Sequence, residues 1–337
     1  MNTPVSHFLT TFSVLMMLMV APAGAQSFES VGTRALGMGG AFVAIANDST
    51  ATWWNPAGLA TGPFLDVALS LVRGQSDDDL IPASRTGVWS VSLGTPPLGL
   101  SYYHLHITDI QADAATAPDD AGREDRAAGV GIRSLSISQF GATVLHTITT
   151  GVTAGATVKF LRGTPRVRAV DVVDQTVDEL LDEGDDLPDG DAEGALDVDV
   201  GVLAAVGAAR LGVTARNLAK PRFGDRQLPR QVRAGAAFDG AAAGMAPMTV
   251  SLDVDLHRYE AATGDRRVVA VGGEHWLRPE RLALRGGARF NTVGPQDRIV
   301  SVGASAAVRA ALFVDGFAAF GSDTGESGWS VSARVSF

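Results

Sequence analysis

Apolar and polar residues alternate with a period of two through most of this chain, from about residue 63 to the final Phe337. Trp329, Val331, Ala333, Val335 and Phe337 share one face of such a segment, and Ser330, Ser332, Arg334 and Ser336 share the other. Val250, Leu252, Val254 and Leu256 likewise oppose Ser251, Asp253, Asp255 and His257. The same split separates Leu282, Leu284, Gly286, Ala288 and Phe290 from Arg285, Gly287, Arg289 and Asn291, and Val152 through Phe160 from Thr153 through Lys159. Period two is the signature of strands with two different surroundings.

The segments fall near 63–73, 85–95, 97–108, 134–146, 150–162, 195–206, 209–218, 230–239, 247–258, 266–277, 280–291, 297–308, 310–320 and 327–337. Most are close to the ~9–11 residues that a tilted strand needs to cross a bilayer. Placing Arg285, Arg289, Lys159 and Arg334 toward lipid would cost about 2–4 kcal/mol each at the midplane. The apolar faces therefore turn to lipid and the polar faces line an interior. Open strand edges in hydrocarbon leave backbone groups unsatisfied, so the first and last strands must pair. The expected fold is all-β: a closed antiparallel transmembrane β-barrel of about fourteen strands. Connectors that alternate long (74–84, 109–133, 163–194, 219–229) and short (near 96, 147–149, 207–208) put the long ones outside and the chain end inside.

Residues 1–25 read as a secretory signal peptide, with an apolar core from Phe8 to Val20 and an Ala23-Gly24-Ala25 cleavage site. The absence of cysteine excludes disulfides, thiolate metal sites and cysteine nucleophiles. Of the net charge of −10, the 13 acidic residues from Asp171 to Asp199 are more than the whole, and the rest of the chain carries no basic stripe for nucleic acid.

Ahead of the strands, Thr33–Ala60 reads TRALGMGGAFVAIANDSTATWWNPAGLA. Glycines at 37, 39 and 40 break helical regularity, and Asn47-Asp48-Ser49 and Asn55-Pro56-Ala57-Gly58 are turn chemistry. It is too apolar for an exposed linker, so the barrel interior is its natural container. This run resembles the N-terminal hatch of the FadL-like outer-membrane transport proteins, closest to their PorV-like and TraF-like branch. Arg216-Asn217-Leu218, Leu228-Pro229-Arg230 and Glu274-His275-Trp276-Leu277 are similar to pieces of the same branch. The resemblance implies a hatch over 26–62 inside a barrel formed by 63–337. It also implies an aromatic end, Phe337, of the kind the barrel assembly machinery recognises.

Gly37-Met38-Gly39-Gly40 is not a dinucleotide fingerprint, because no strand precedes it and no βαβ unit follows. It reads as hatch backbone packed on the wall. Trp53 and Trp54 either line an apolar passage or wedge the hatch. Asp185, Asp186, Asp189 and Asp191 are dense enough in oxygen to suggest Ca²⁺, but their spacing is not that of an EF-hand, and a solvated acidic loop is the plainer reading. A short helix is expected after Thr176. His104 and His106 share a strand face without a third ligand nearby. Trp89, Tyr102, Tyr103, Trp276 and Trp329 read as girdle aromatics.

No HExxH or GxSxG signature is present, so no enzyme chemistry and no cofactor are expected. The resemblance implies passive passage of a hydrophobic ligand past Gly37, Met38, Gly39, Gly40, Phe42, Trp53, Trp54, Asn55, Pro56 and Ala57, in the outer membrane of a diderm bacterium. The PorV-like alternative is a structural or shuttle component that binds a secreted protein.

Overall fold

A computed structural model describes residues 29–76, 82–112, 129–171, 175–188, 190–261, 264–278, 281–294, 297–321 and 326–337. The signal-peptide expectation lies outside them.

Eighteen strands occur among the described residues. In order they are β1 (Asp66–Ser76), β2 (Ala83–Gly94), β3 (Leu98–Ala112), β4 (Gly129–Thr149), β5 (Val152–Asp171) and β6 (Glu193–Val206). Then follow β7 (Ala209–Arg216), β8 (Arg222–Phe223), β9 (Arg226–Gln227), β10 (Gln231–Asp239), β11 (Met248–Asp255) and β12 (Tyr259–Ala261). The last are β13 (Gly264–Arg266), β14 (Val268–Arg278), β15 (Leu282–Asn291), β16 (Arg298–Arg309), β17 (Leu312–Gly321) and β18 (Glu326–Ser336). Three short helices are α1 (Thr33–Gly37), α2 (Ala51–Trp54) and α3 (Val177–Asp185).

Fourteen strands close into one antiparallel barrel in the order β1-β18-β17-β16-β15-β14-β11-β10-β7-β6-β5-β4-β3-β2, while β8–β9 and β12–β13 are separate hairpins. Closure runs from Asp66 opposite Ser336 to Ser76 opposite Glu326, which leaves no barrel edge in lipid. The first strand begins later than the expected 63 because Pro63 has no N–H; Leu65 and Phe337 still exchange backbone hydrogen bonds below it.

The wall sorts its residues as the solvent argument requires. Leu69, Leu71, Val91, Leu100, Val158, Val200, Val250, Leu252, Val300 and Val331 are exposed on the outside. Lys159, Asp197, Asp199, Arg216, Arg233, Asp255, Glu274, Arg285 and Asp315 are buried within. Lys159 Nζ sits 2.9 Å from Asp197 and 2.7 Å from Asp199. Buried charges persist only when paired this closely.

Two expectations change. Residues 109–133 and 163–194 are not simply connectors, because β4 and β5 have 21 and 20 residues and rise far beyond a bilayer. The helix α3 covers the projecting outer face of β2, β3 and β4: Leu180 and Leu181 pack on Ala83, Ile110, Val130 and Ile132. Apolar residues there face protein rather than lipid, so hydropathy did not mark the strand ends. Tyr103 and Trp276 are not girdle aromatics. They point inward, Tyr103 edge-on to Trp53 at 5.1 Å and Trp276 edge-on to Phe313 at 6.3 Å. Trp89, Tyr102 and Phe140 do stack on the outer face, with centroids 4.9 and 4.5 Å apart.

Candidate functional site: the luminal segment

Residues 29–62 thread the lumen, and nearly every residue from Val31 to Leu59 is buried. The segment makes no strand ladder with the wall. It is held instead by side chains and by close backbone approach.

After the first turn of α1, Gly39 and Gly40 take φ of 69° and 84° and donate to the carbonyls of Leu36 and Ala35, which ends the helix. A Cβ on Gly39 would lie 2.7 Å from the backbone nitrogen of Ala288. Met38 meets the wall at Gly272 and Gly287, where added Cβ atoms would fall 2.2 Å from its own backbone atoms. Further round, Val43 abuts Gly212, Asn55 abuts Gly201, and the Pro56–Ala57 peptide abuts Gly155. Inward glycines from many strands thus form a belt that lets the segment touch the sheet. The sequence shows these glycines; it does not show that they meet one and the same segment.

Polar anchors complete the seat. Asp253 accepts from the backbone N–H groups of both Phe42 and Val43 at 2.8 Å. Ser49 N–H donates to Asp66 at 2.9 Å. Arg34 forks onto Glu274 at 2.9 and 2.8 Å and also donates to Asn47 at 2.6 Å. Asn55 accepts from Ala57 N–H at 3.2 Å, capping a 3₁₀ helix over Pro56–Thr61, while its amide donates to the carbonyls of Val43 (2.9 Å) and Val202 (3.2 Å). Trp54 donates from Nε1 to Val31 O at 2.9 Å. The guanidinium of Arg216 lies 3.6 Å over the ring of Trp53, a cation–π contact shielded from water.

All ten residues of the expected passage therefore come together in the lumen. Trp53 and Trp54 are fully buried. Sequence reasoning missed the anchors Asp66, Asp253, Glu274, Arg216 and Tyr103. The alternation marked several of them as inward-facing, but no sequence signal says what an inward residue touches.

Above the segment, the β8–β9 hairpin folds inward with Phe223 and Leu228 buried and Arg226 paired to Asp109. A pocket lined by Glu29, Leu36, Val72, Phe317 and Ala319 measures about 60 Å³. An apolar cavity that takes benzene is about 150 Å³, so this one holds water at most. On the lipid face, a groove of about 610 Å³ is lined by Val91, Leu100, Tyr102, Phe140, Val158, Phe160 and Leu196. Gly141 and Ser101 form its floor, and behind them Thr157 donates to the carbonyl of Thr52 in α2 at 3.4 Å. The β2–β3 and β3–β4 ladders run without a register shift, so the wall at this place is unbroken.

Among the described residues no group of three or more His, Asp or Glu side chains is arranged to hold an ion. Asp185 is occupied by Arg85 (3.2 Å), His106 (3.2 Å) and Thr108 (2.5 Å); Asp189 lies outside the described residues. Burial pushes the Asp185 carboxyl up, but hydrogen bonds from His106, Thr108 and Arg85 outweigh it and bring it down to about 2. The expected helix after Thr176 is present as α3, with a reciprocal Thr176–Glu179 capping box.

These features define a FadL-type barrel with a luminal segment packed against its wall. The chain belongs to the family described as "F plasmid transfer operon, TraF, protein", whose model matches residues 83–255. No curated protein sequence matches it. Among solved structures it is similar to the CymD monoaromatic hydrocarbon channel, at 13% identity, covering 93% of this chain and 99% of that one, with a TM-score of 0.61. The toluene transporter TbuX of Ralstonia pickettii gives 14% identity, 92% and 99% coverage, and 0.61. A Pseudomonas aeruginosa FadL homologue gives 11%, 94% and 100%, and 0.57. At these identities the likeness is one of fold.

Proposed function

We propose that the protein is an outer-membrane barrel through which small hydrophobic molecules pass, with the luminal segment as a movable hatch. The observation that carries this is the apolar groove on the lipid face, separated from α2 by a single layer of wall at Gly141. Because no backbone ladder joins segment and wall, the segment can shift by exchanging side-chain partners, without opening a strand pair in lipid. The fold shared with proteins titled as hydrocarbon and toluene transporters supports the substrate class.

Uptake of labelled toluene and oleate by cells expressing the full chain tests the reading. Uptake should exceed that of cells without the protein, and Ala142→Trp, which fills the groove from outside, should lower it. Uptake equal to cells without the protein refutes transport. The filled lumen then favours the second reading, a structural component for secretion or envelope assembly, which a co-purifying secreted protein would support.

A further inference from the structure

Beyond β7 from the edge of the apolar groove, a second cleft opens at the outer ends of β10 and β11. It has a volume of about 450 Å³ and is lined by Lys220, Gln227, Pro229, Arg230, Val232, His257, Arg258 and Tyr259. Its lower edge is greasy: Val232 is on the outward face of β10, Leu256 is exposed, and Leu256 N–H donates to Val232 O at 2.8 Å. Directly above that edge stand three cations. Arg258 has Asp265 at 3.2 Å, both in open solvent, while Lys220 and Arg230 have no carboxylate partner among the described residues.

The cleft is built rather than incidental. Lys220 and Asn217 are the two non-glycine residues with positive φ among the described residues, at 53° and 55°. Such backbone persists only where the surroundings over-determine it. Here Lys220 N–H donates to Asn217 O (3.0 Å), Gln227 donates to Lys220 O (3.2 Å), and Asn217 donates to Pro229 O (3.0 Å). His257 donates to Arg230 O at 2.9 Å and joins the two walls. The β8–β9 hairpin that carries one wall is moored in the lumen by Phe223 and Leu228.

An apolar ledge that continues the lipid face, with three cations immediately above it, two of them without a carboxylate partner among the described residues, is shaped for one kind of molecule: an amphiphile with acyl chains below and a phosphorylated head above. The long-loop end of the barrel is the outward one. We propose that this cleft holds the phosphorylated sugar head of an outer-leaflet glycolipid, with phosphate on Lys220, Arg230 and Arg258 and acyl chain along Val232 and Leu256. Two more outward cations stand at the same end of the wall: Arg73, opposite Trp329, and Arg162, two residues beyond Phe160. They extend the match between this rim and an anionic leaflet. Basic clusters at the headgroup level attract anionic lipid in this way.

The test uses the full mature chain in detergent, with bound lipid read by native mass spectrometry. The probes are bisphosphorylated lipid A, its dephosphorylated form, phosphatidylethanolamine and inorganic pyrophosphate. Lipid A should bind tightest. The triple variant Lys220→Gln, Arg230→Gln, Arg258→Gln should bind it about 100-fold more weakly, as roughly five-fold per cation predicts. Arg281→Gln with Arg309→Gln, at the inner rim, should bind as the parent does. Heat-modifiable electrophoretic mobility shows that each variant remains a barrel. Undiminished binding by the triple variant, or equal binding of dephosphorylated lipid A, overturns the proposal. Pyrophosphate competing as well as the lipid makes this a soluble-anion site and also overturns it. Hydrocarbon uptake enters neither outcome, so the transport reading and this one can fail separately.

Discussion

The luminal segment and α3 are both short pieces of chain docked on the same barrel, one inside the wall and one outside it. Inside, the segment is sealed from water, and its polar groups have named partners such as Asp253, Glu274 and Asp66. Outside, α3 rests on two leucines and a fringe of ion pairs in which Asp178 and Asp182 are 71% exposed. The same chemistry, arginine to carboxylate, thus has different consequences on the two faces. A lost partner inside leaves a group that water cannot reach, whereas a lost partner outside is replaced by water.

That contrast can be broken or sharpened by five measurements. Asp253→Ala leaves the N–H groups of Phe42 and Val43 without an acceptor, and at 1–3 kcal/mol per buried group the loss should be about 4 kcal/mol. A guanidinium midpoint unchanged from the parent would show that the segment is not held as described. Gly201→Val places a Cβ about 2.0 Å from Asn55 Oδ1, and overpacking of this kind should cost about 3 kcal/mol and unseat the Asn55 turn. Hydrogen exchange at Ala57 and Gly58 reads it directly.

On the outer face, Leu181→Ala removes a buried side chain from the α3 dock, for roughly 2–3 kcal/mol. Proteolysis within 175–188 should accelerate while the barrel midpoint stays near that of the parent. Arg85→Gln should cost no more than about 1 kcal/mol, because two of its three carboxylate partners are mostly in solvent. A loss as large as that of Asp253→Ala would erase the distinction between the faces.

The smallest effect is the response to acid. The Asp185 carboxyl sits below its ordinary value of 3.8, at about 2. A lowered acid pKa means that the folded state prefers the carboxylate. Its contribution is therefore complete above about pH 4 and is lost as the pH falls through 3.8 toward 2. Pepsin cleavage at Leu180–Leu181 should rise across that window, and Asp185→Asn should remove the dependence.

Much of this architecture can be read from the chain. The alternation in 247–258, 280–291 and 327–337 carries over directly into β11, β15 and β18, because a lipid face leaves no choice of which side chains point outward. Asn55-Pro56-Ala57 likewise forms the expected turn, since Asn55 caps it with its own side chain. The rest depends on partners distant in sequence. The upper half of β4 is hidden because its outward Val130 and Ile132 meet α3 instead of lipid, and that of β5 because its outward residues include Arg162, Arg166 and Arg168. Tyr103 was misplaced because Tyr102 and Tyr103 alternate faces, and only the ring of Trp53 inside tells them apart.

The sequence alone decided that this chain closes on itself. Each of the fourteen barrel strands carries an apolar face that lipid accepts, and unpaired backbone cannot stand in lipid. Tertiary structure alone decided that glycines from distant strands meet one luminal segment, and that Asp253 and Glu274 aim at the segment they hold. Those relations follow from closure of the sheet, which brings residues far apart in sequence around one lumen, and no local pattern records that meeting.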